Sequence, residues 1–267
     1  MPLTQGRERT LGHSRSAIAT DPNAVLGVPH NAGYAPRPAW ESIRRVDRLP
    51  HGYTNHTRRV GKGIEKRYEG SDSLDRAERE FACLTVLLGR CLVPEILEFD
   101  PSTPVLVVSE IRGRHGQELI DQGWAAQILR LIGSQLSGLQ SLDPSTVPGL
   151  TGIGDVIVHG DFGPQNILFQ LDPIRVSGVL DWELAHIGSA VEDLAWAEWI
   201  IRTHHPEALE ELPELFAGSG LSFNWPDRQA AMVRQCRHHL GYCEASGLDG
   251  AASEWRRRLE ATEAWSE

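Results

Sequence analysis

Apolar and polar residues follow two rhythms along this chain, and the change between them divides it. Gly63–Tyr68 alternates as a half-buried strand does, and Val93–Phe99 and Val105–Ile111 predict two more strands. Between the first two, a helix is expected from Leu74 to about Gly89, with Ser73 as its cap. Ala77, Phe81, Leu84 and Leu88 share one face of it, Glu80 borders that face and Glu78 points away. Beyond Gly113 the period becomes mainly helical. Trp124–Leu142 carries Ile128, Leu131, Ile132, Gln135 and Leu139 on one stripe, Glu192–Ile201 reads as a helix, and Arg228–Ser246 and Ala252–Trp265 as closing helices. Residues 1–39 hold no sustained period and are expected to form a flexible extension, with a short helix at Trp40–Val46.

Val156–Asp193 fits neither rhythm. The apolar run Val156–Val158 is followed by His-Gly-Asp-Phe-Gly-Pro-Gln-Asn, and then by Ile167, Leu168 and Phe169. After a Leu-Asp-Pro turn, Val176–Leu180 leads into Asp181-Trp182-Glu183. The expectation is a strand pair whose connecting loop presents His159, Asp161 and Asn166 beside a strand delivering Asp181. Two acids and an amide are costly to bury without partners, so the segment reads as a site. Phosphoryl transfer fits these residue types. One Asp accepts the proton of an attacking hydroxyl, while an Asn five residues on and a later Asp hold a metal that bridges nucleotide phosphates.

The composition narrows the alternatives. A net charge of −10 over 267 residues argues against nucleic acid as a partner. No run is long enough to span a membrane, and none resembles an apolar signal core. Cys83, Cys91, Cys236 and Cys243 lack metal-ligand spacing and read as free thiols, which with the missing signal core predicts a cytoplasmic protein. Adjacent histidines at 204–205 and 238–239 point apart on a helix and are expected to be solvated rather than metal-bound. The only lysines are Lys62 and Lys66, which makes a lysine in a strand of the first region conspicuous.

HGDxxxxN, the following LDWE and the Gly188…Asp193 pair together resemble the aminoglycoside phosphotransferase family, the small-molecule branch of the kinase-like fold that includes choline and fructosamine kinases. The resemblance runs from about Val46 to the helix after Asp193. It implies a two-lobed α+β protein-kinase-like fold: an antiparallel-sheet lobe with one helix over 40–112 and a mainly helical lobe over 113–267. It further implies ATP and Mg²⁺ as cofactors and a small-molecule hydroxyl as acceptor. Asp161 would orient and deprotonate that hydroxyl, and Asn166 and Asp181 would bind Mg²⁺. Lys66 would hold phosphates, with Glu80 positioning it and Lys62 as the second choice. Gly52 and Asn55 would shape a turn above the phosphates, and Glu110 and Ile111 would lie in the connector that meets the base. Glu183 and Trp182 are candidates to face the acceptor, and an acidic cleft there would favour an amine-bearing molecule. His159 and Asp193 would support the loop. Gln140 stands where the family's LHxLDP has His, and the short Ser145–Asp155 connection leaves little chain for an acceptor lid. A non-catalytic nucleotide-binding module and a kinase for choline-like amino alcohols are the competing readings. A protein kinase is disfavoured by HGD in place of HRD and DWE in place of DFG.

Overall fold

The computed structural model describes residues 55–267, which lie in one unit of the chain; Gly52, the extension over 1–39 and the expected helix at 40–46 fall outside the described residues. Four antiparallel strands, β1 (His56–Val60), β2 (Gly63–Arg67), β3 (Ile96–Asp100) and β4 (Val105–Ser109), form a sheet in the order β1-β2-β4-β3. Arg58 and Glu65 lie opposite each other in the β1–β2 register and join through two hydrogen bonds of 2.8 Å, a cross-strand pair on the exposed face. The helix α1 (Ser73–Leu87) buries Arg76, Ala77, Glu80, Cys83, Leu84 and Leu87. Its N-cap is Asp72 rather than Ser73, and Leu88, expected on the buried face, is half exposed because the helix has already ended. Phe81 of α1 stacks on Phe99 of β3 with ring centroids 4.2 Å apart, which fixes the helix against the sheet.

The connector Glu110–Gly113 leads from β4 into the second lobe. There follow β5 (Arg114–His115), α2 (Gly116–Ile120), α3 (Ala125–Gln140), β6 (Val156–Val158), β7 (Ile167–Leu171), β8 (Ile174–Val179) and β9 (His186–Gly188). Four helices complete it: α4 (Val191–His204), α5 (Leu212–Ser219), α6 (Trp225–Ala245) and α7 (Asp249–Ala264). The core of this lobe is α3, whose Ile128, Leu129, Ile132, Leu136 and Leu139 are fully or almost fully buried. Each such side chain contributes roughly 1.5–3 kcal/mol by burial. Gly133 lets α5 cross α3 closely, since a Cβ there would stand 2.2 Å from the Leu215 carbonyl oxygen.

The expected pairing of β6 with β7 is corrected by the topology. β7 already has β5 on one edge and β8 on the other, so β6 pairs instead with β9 in a separate two-stranded ribbon. The 159–166 loop therefore crosses between two sheets. The short connection before β6 is a 3₁₀ turn, Pro144–Thr146, followed by chain lying along β9 through Ile187 N–H to Thr151 O (2.8 Å) and Asp155 N–H to Gly188 O (3.0 Å). It builds no lid.

Candidate active site

The 159–166 loop is held from three sides before any of its side chains reaches the cleft. Asp193, on the first turn of α4, accepts the backbone N–H of His159 at 2.7 Å and of Gly160 at 3.0 Å. Burial raises the Asp193 carboxyl to about 6, against the pull of those two N–H groups. From α6, Gln235 donates to the Gly160 carbonyl at 2.8 Å. Gly160 has φ +83°, and a Cβ there would sit 2.5 Å from the Leu184 carbonyl oxygen, so only glycine fits. His159 Nε2 donates to the Leu180 carbonyl at 2.9 Å, and its Nδ1 accepts the Asp161 N–H at 3.2 Å. Burial lowers the His159 pKa to about 4, so the ring is neutral and the two partners fix its tautomer.

Asp161 ends in a ring of neutral donors. Its Oδ1 accepts from Trp196 Nε1 (2.9 Å) and Gln165 Nε2 (3.2 Å), and its Oδ2 from Asn166 Nδ2 (2.8 Å). Burial pushes this carboxyl up to about 7; donation from Trp196 opposes the rise, and the charge of Asp181 adds to it. A proton acceptor titrating near neutrality suits a general base. The Asn166 amide also donates to the Asp161 backbone carbonyl at 2.9 Å. Both of its partners are acceptors, which fits the amide nitrogen facing Asp161 and leaves Oδ1 outside these bonds.

Asp181 adjoins this loop through the Leu180 N–H to Asn166 O bond of 2.8 Å, the continuation of the β7–β8 ladder past Ile167 and Val179. Its backbone has φ +70°, an uncommon conformation for a non-glycine residue. Its Oδ1 lies 2.5 Å from Lys66 Nζ. Lys66 also meets Glu80 Oε2 at 2.5 Å and Glu183 Oε2 at 3.4 Å. Burial alone would lower the lysine pKa, but Asp181, Glu183 and Glu80 together hold it well above its ordinary value. Glu80 is steadied further by the Tyr68 hydroxyl at 2.6 Å. The three carboxylates lie within 4.8 Å of one another, and the Lys66 ammonium already supplies a cation in their midst. Lys62 is exposed in the β1–β2 turn. In the connector, Glu110 pairs with Arg59 at 2.6 Å, and Ile111 packs over Gly178 of β8.

Glu183 and Trp182 lie otherwise than expected. Glu183 does not face an acceptor: it is 4% exposed and turned towards the small lobe, where Asn55 Nδ2 donates to it at 2.6 Å and Arg76 Nη1 at 3.2 Å. Asn55 donates on that bond and accepts from Arg76, so its side chain is tied to both lobes. Trp182 is buried, donates to the Val179 carbonyl at 3.0 Å and packs on His159 with ring centroids 4.6 Å apart. With Glu183 inward and Asp181 paired to Lys66, the acidic cleft expected to draw an amine has lost two of its three charges. Among the histidines, His205 is buried rather than solvated, its Nδ1 3.0 Å from Asp121.

Arg76, Tyr68, Trp196, Gln165 and Gln235 join the site without having been expected there. Arg76 had a signal: it sits four residues before Glu80, on the stripe that α1 buries. Trp196 stands three residues after Asp193 and so shares its helix face.

Small sheet, connector and helical lobe together define a two-lobed kinase-like fold. Residues 153–230 match the sequence profile of the phosphotransferase enzyme family. A solved aminoglycoside 2'-phosphotransferase in complex with GDP superposes with a TM-score of 0.67 at 14% identity, covering 84% of this chain and 93% of that one. A macrolide 2'-phosphotransferase from Brachybacterium faecium gives 0.55 at 17% identity, covering 81% and 91%. Among curated relatives, viomycin phosphotransferase of Streptomyces vinaceus is 44% identical over 59 residues, 21% of this chain and 19% of its own length. A probable acyl-CoA dehydrogenase of Arabidopsis thaliana is 32% identical over 108 residues, 40% of this chain but 12% of its own length. The chain thus spans only a small part of the curated relatives it matches. The resemblance to the aminoglycoside phosphotransferase family holds in sequence over the 153–230 segment and in fold over most of the chain. No helix among the described residues is long and apolar enough to cross a membrane.

Proposed function

We propose that this chain is a small-molecule kinase that transfers the γ-phosphate of ATP to a hydroxyl group. One observation carries the reading: a single run of contacts joins Asp161 through Asn166 to the Leu180–Asp181 strand end, and Asp181 through Lys66 to Glu80 on the other lobe. Asp161 accepts the acceptor's proton from a position fixed by three donors. Lys66, kept charged, contacts the phosphates, and Glu80 and Tyr68 hold it in reach. The amide oxygen of Asn166 and the carboxylate of Asp181, which is 32% exposed, are hard oxygen donors that suit Mg²⁺. Bound there, Mg²⁺ would neutralise phosphate charge in the transition state. The connector at Glu110 and Ile111 receives the base. ATP is supported by a structural neighbour solved with streptomycin and ATP.

For the acceptor, the named neighbours favour an amine-bearing, antibiotic-like molecule: one is complexed with kanamycin, another with gentamicin, and viomycin phosphotransferase is a sequence relative. Amino alcohols such as choline belong to the same class of acceptor. A second reading has its own support, because several curated relatives are acyl-CoA dehydrogenases, including one of Homo sapiens 51% identical over 39 residues. A hydroxylated acyl-CoA is the acceptor that reading names. ADP release measured over aminoglycosides, peptide antibiotics, macrolides, choline and hydroxyacyl-CoAs tests both. Acceptor-dependent ADP formation that Asp161→Asn abolishes supports the kinase. Nucleotide binding without turnover on any acceptor turns the conclusion to a binding module.

A further inference from the structure

Arg76 and Glu183 form a buried pair that bridges the two lobes, and the reaction assigned above uses neither. Arg76 lies on α1 one turn before Glu80, and both side chains are buried on the same face, Arg76 at 4% and Glu80 at 4% exposure. Glu183 follows Asp181 by two residues on the opposite lobe. Its Oε1 meets Arg76 Nη1 at 3.2 Å, its Oε2 accepts from Asn55 at 2.6 Å, and its backbone carbonyl accepts from Arg79 Nη1 at 2.6 Å. Asn55 closes the triangle by accepting from Arg76 at 3.3 Å. Arg76 is itself aimed by Asp72 at 3.2 Å and by the Glu69 carbonyl. Each of the two segments that carry the nucleotide machinery is thus tied to the other immediately beside its working residue. On α1 the tie is one turn from Glu80, and on the 180s loop it is two residues from Asp181.

We propose that the Arg76–Glu183–Asn55 triangle is a positioning device that sets α1 against the Asp181 strand end, and thereby fixes Lys66 for nucleotide; this rests on the kinase reading above. The physical need is visible in the charges. Lys66 and Arg76 face Glu80, Asp181 and Glu183, and such a cluster keeps one geometry only while each charge has a partner. Releasing α1 would let Glu80 leave Lys66, and the lysine would be held only from the other lobe, by Asp181 and Glu183. Arg76 and Glu183 act here through Glu80, Lys66 and Asp181, so the loss should appear in nucleotide affinity and not in the acceptor's KM.

The test is titration of MgATP, without acceptor, against Glu183→Gln, Arg76→Met and the double variant. Each single change is expected to weaken MgATP about tenfold, and the double to cost no more than either, as for residues acting as one unit. Additive losses, or unchanged affinity in folded Glu183→Gln, would overturn the proposal. If Arg76→Met does not fold, Arg79→Met removes only the bond to the Glu183 carbonyl, and about a threefold loss is expected; none would count against the triangle. Arg58→Ala, on the exposed face of the same sheet, should bind as wild type. Should the wild type itself bind no MgATP, the kinase reading falls, and hydrogen exchange decides on the triangle. Glu183→Gln must then speed exchange in Ser73–Leu87 while α3 stays protected, and equal protection of α1 sinks it.

Discussion

Two buried polar clusters lie within one site, and they are built on opposite principles. Around the Asp161 carboxylate every donor is neutral: an indole and two amides. Around Lys66 nearly every partner is a full charge, with three carboxylates on one ammonium and a guanidinium on the third acid. Neutral donors orient a carboxylate without removing its basicity, so burial still lifts Asp161 to about 7. Opposite charges do the reverse for Lys66 and lock it as a cation. One cluster can exchange a proton near neutral pH; the other cannot, and is suited to holding phosphate charge in place.

The largest effect should come from breaking the first cluster at its centre. Asp161→Asn keeps the size and loses the proton acceptor, so turnover should fall by roughly 10²–10⁴-fold. MgATP affinity should stay within about twofold, because the second cluster is untouched. Asp181→Asn should separate the clusters the other way, with Mg²⁺-dependent nucleotide binding lost first. Equal loss of nucleotide in both variants, read by titration, would erase the distinction drawn between them.

A smaller effect sharpens the role of the neutral donors. Trp196→Phe keeps the ring in the stack with Trp199, whose centroid lies 4.4 Å away, and removes only the N–H to Asp161. A neutral hydrogen bond contributes about 0.5–1.5 kcal/mol, so kcat should drop about 3–10-fold with the KM for ATP unchanged. A raised KM for ATP would show that Trp196 serves the fold of the lobe and not the aim of Asp161.

The same contrast explains what could be read from the chain. The loop was readable because its chemistry demands particular residue types at fixed spacing: His159, Asp161 and Asn166 on one segment, and Asp181 at the end of the next apolar run. Lys66 was readable through the family resemblance, and helix spacing then chose Glu80 over Glu78 as its partner. Glu183 was not, because the sequence gives no direction for a side chain just beyond a strand. Here that direction is decided by Arg76 and Asn55, more than a hundred residues away. Strand pairing failed for a similar reason. The apolar runs at Val156–Val158 and Ile167–Leu171 mark strands, but only the occupied edges of β7 exclude their pairing. Local periodicity predicts elements, and partners distant in sequence decide which way polar side chains turn.

The smallest expected effect lies outside both clusters, where a charged pair supports the helix that carries Asp193. His186 Nε2 lies 3.1 Å from Glu192 Oε2, and Glu192 Oε1 accepts the Ser189 N–H at 2.7 Å at the start of α4. Burial works to lower the His186 pKa, but hydrogen bonding to Glu192 and the Leu184 carbonyl raises it above the ordinary value, with the charges of Glu192 and Asp193 adding to the rise. A histidine whose folded pKa is raised stabilises the fold fully below its unfolded value of about 6.5, and the gain disappears as pH rises through the folded pKa. Burial works to raise the Glu192 pKa, but donation from His186 and Ser189 holds it below the ordinary carboxylate value, so Glu192 is ionised throughout this window. Glu192→Gln retains an acceptor for Ser189 and removes only the charge. The pair is about a third exposed, 35% and 29% for the two side chains, so its worth is below about 1 kcal/mol. The Tm difference between wild type and Glu192→Gln should therefore be a few degrees at pH 6 and shrink towards zero by pH 9. A gap that widens with pH would mean that Glu192 acts through the α4 N-terminus and not through His186.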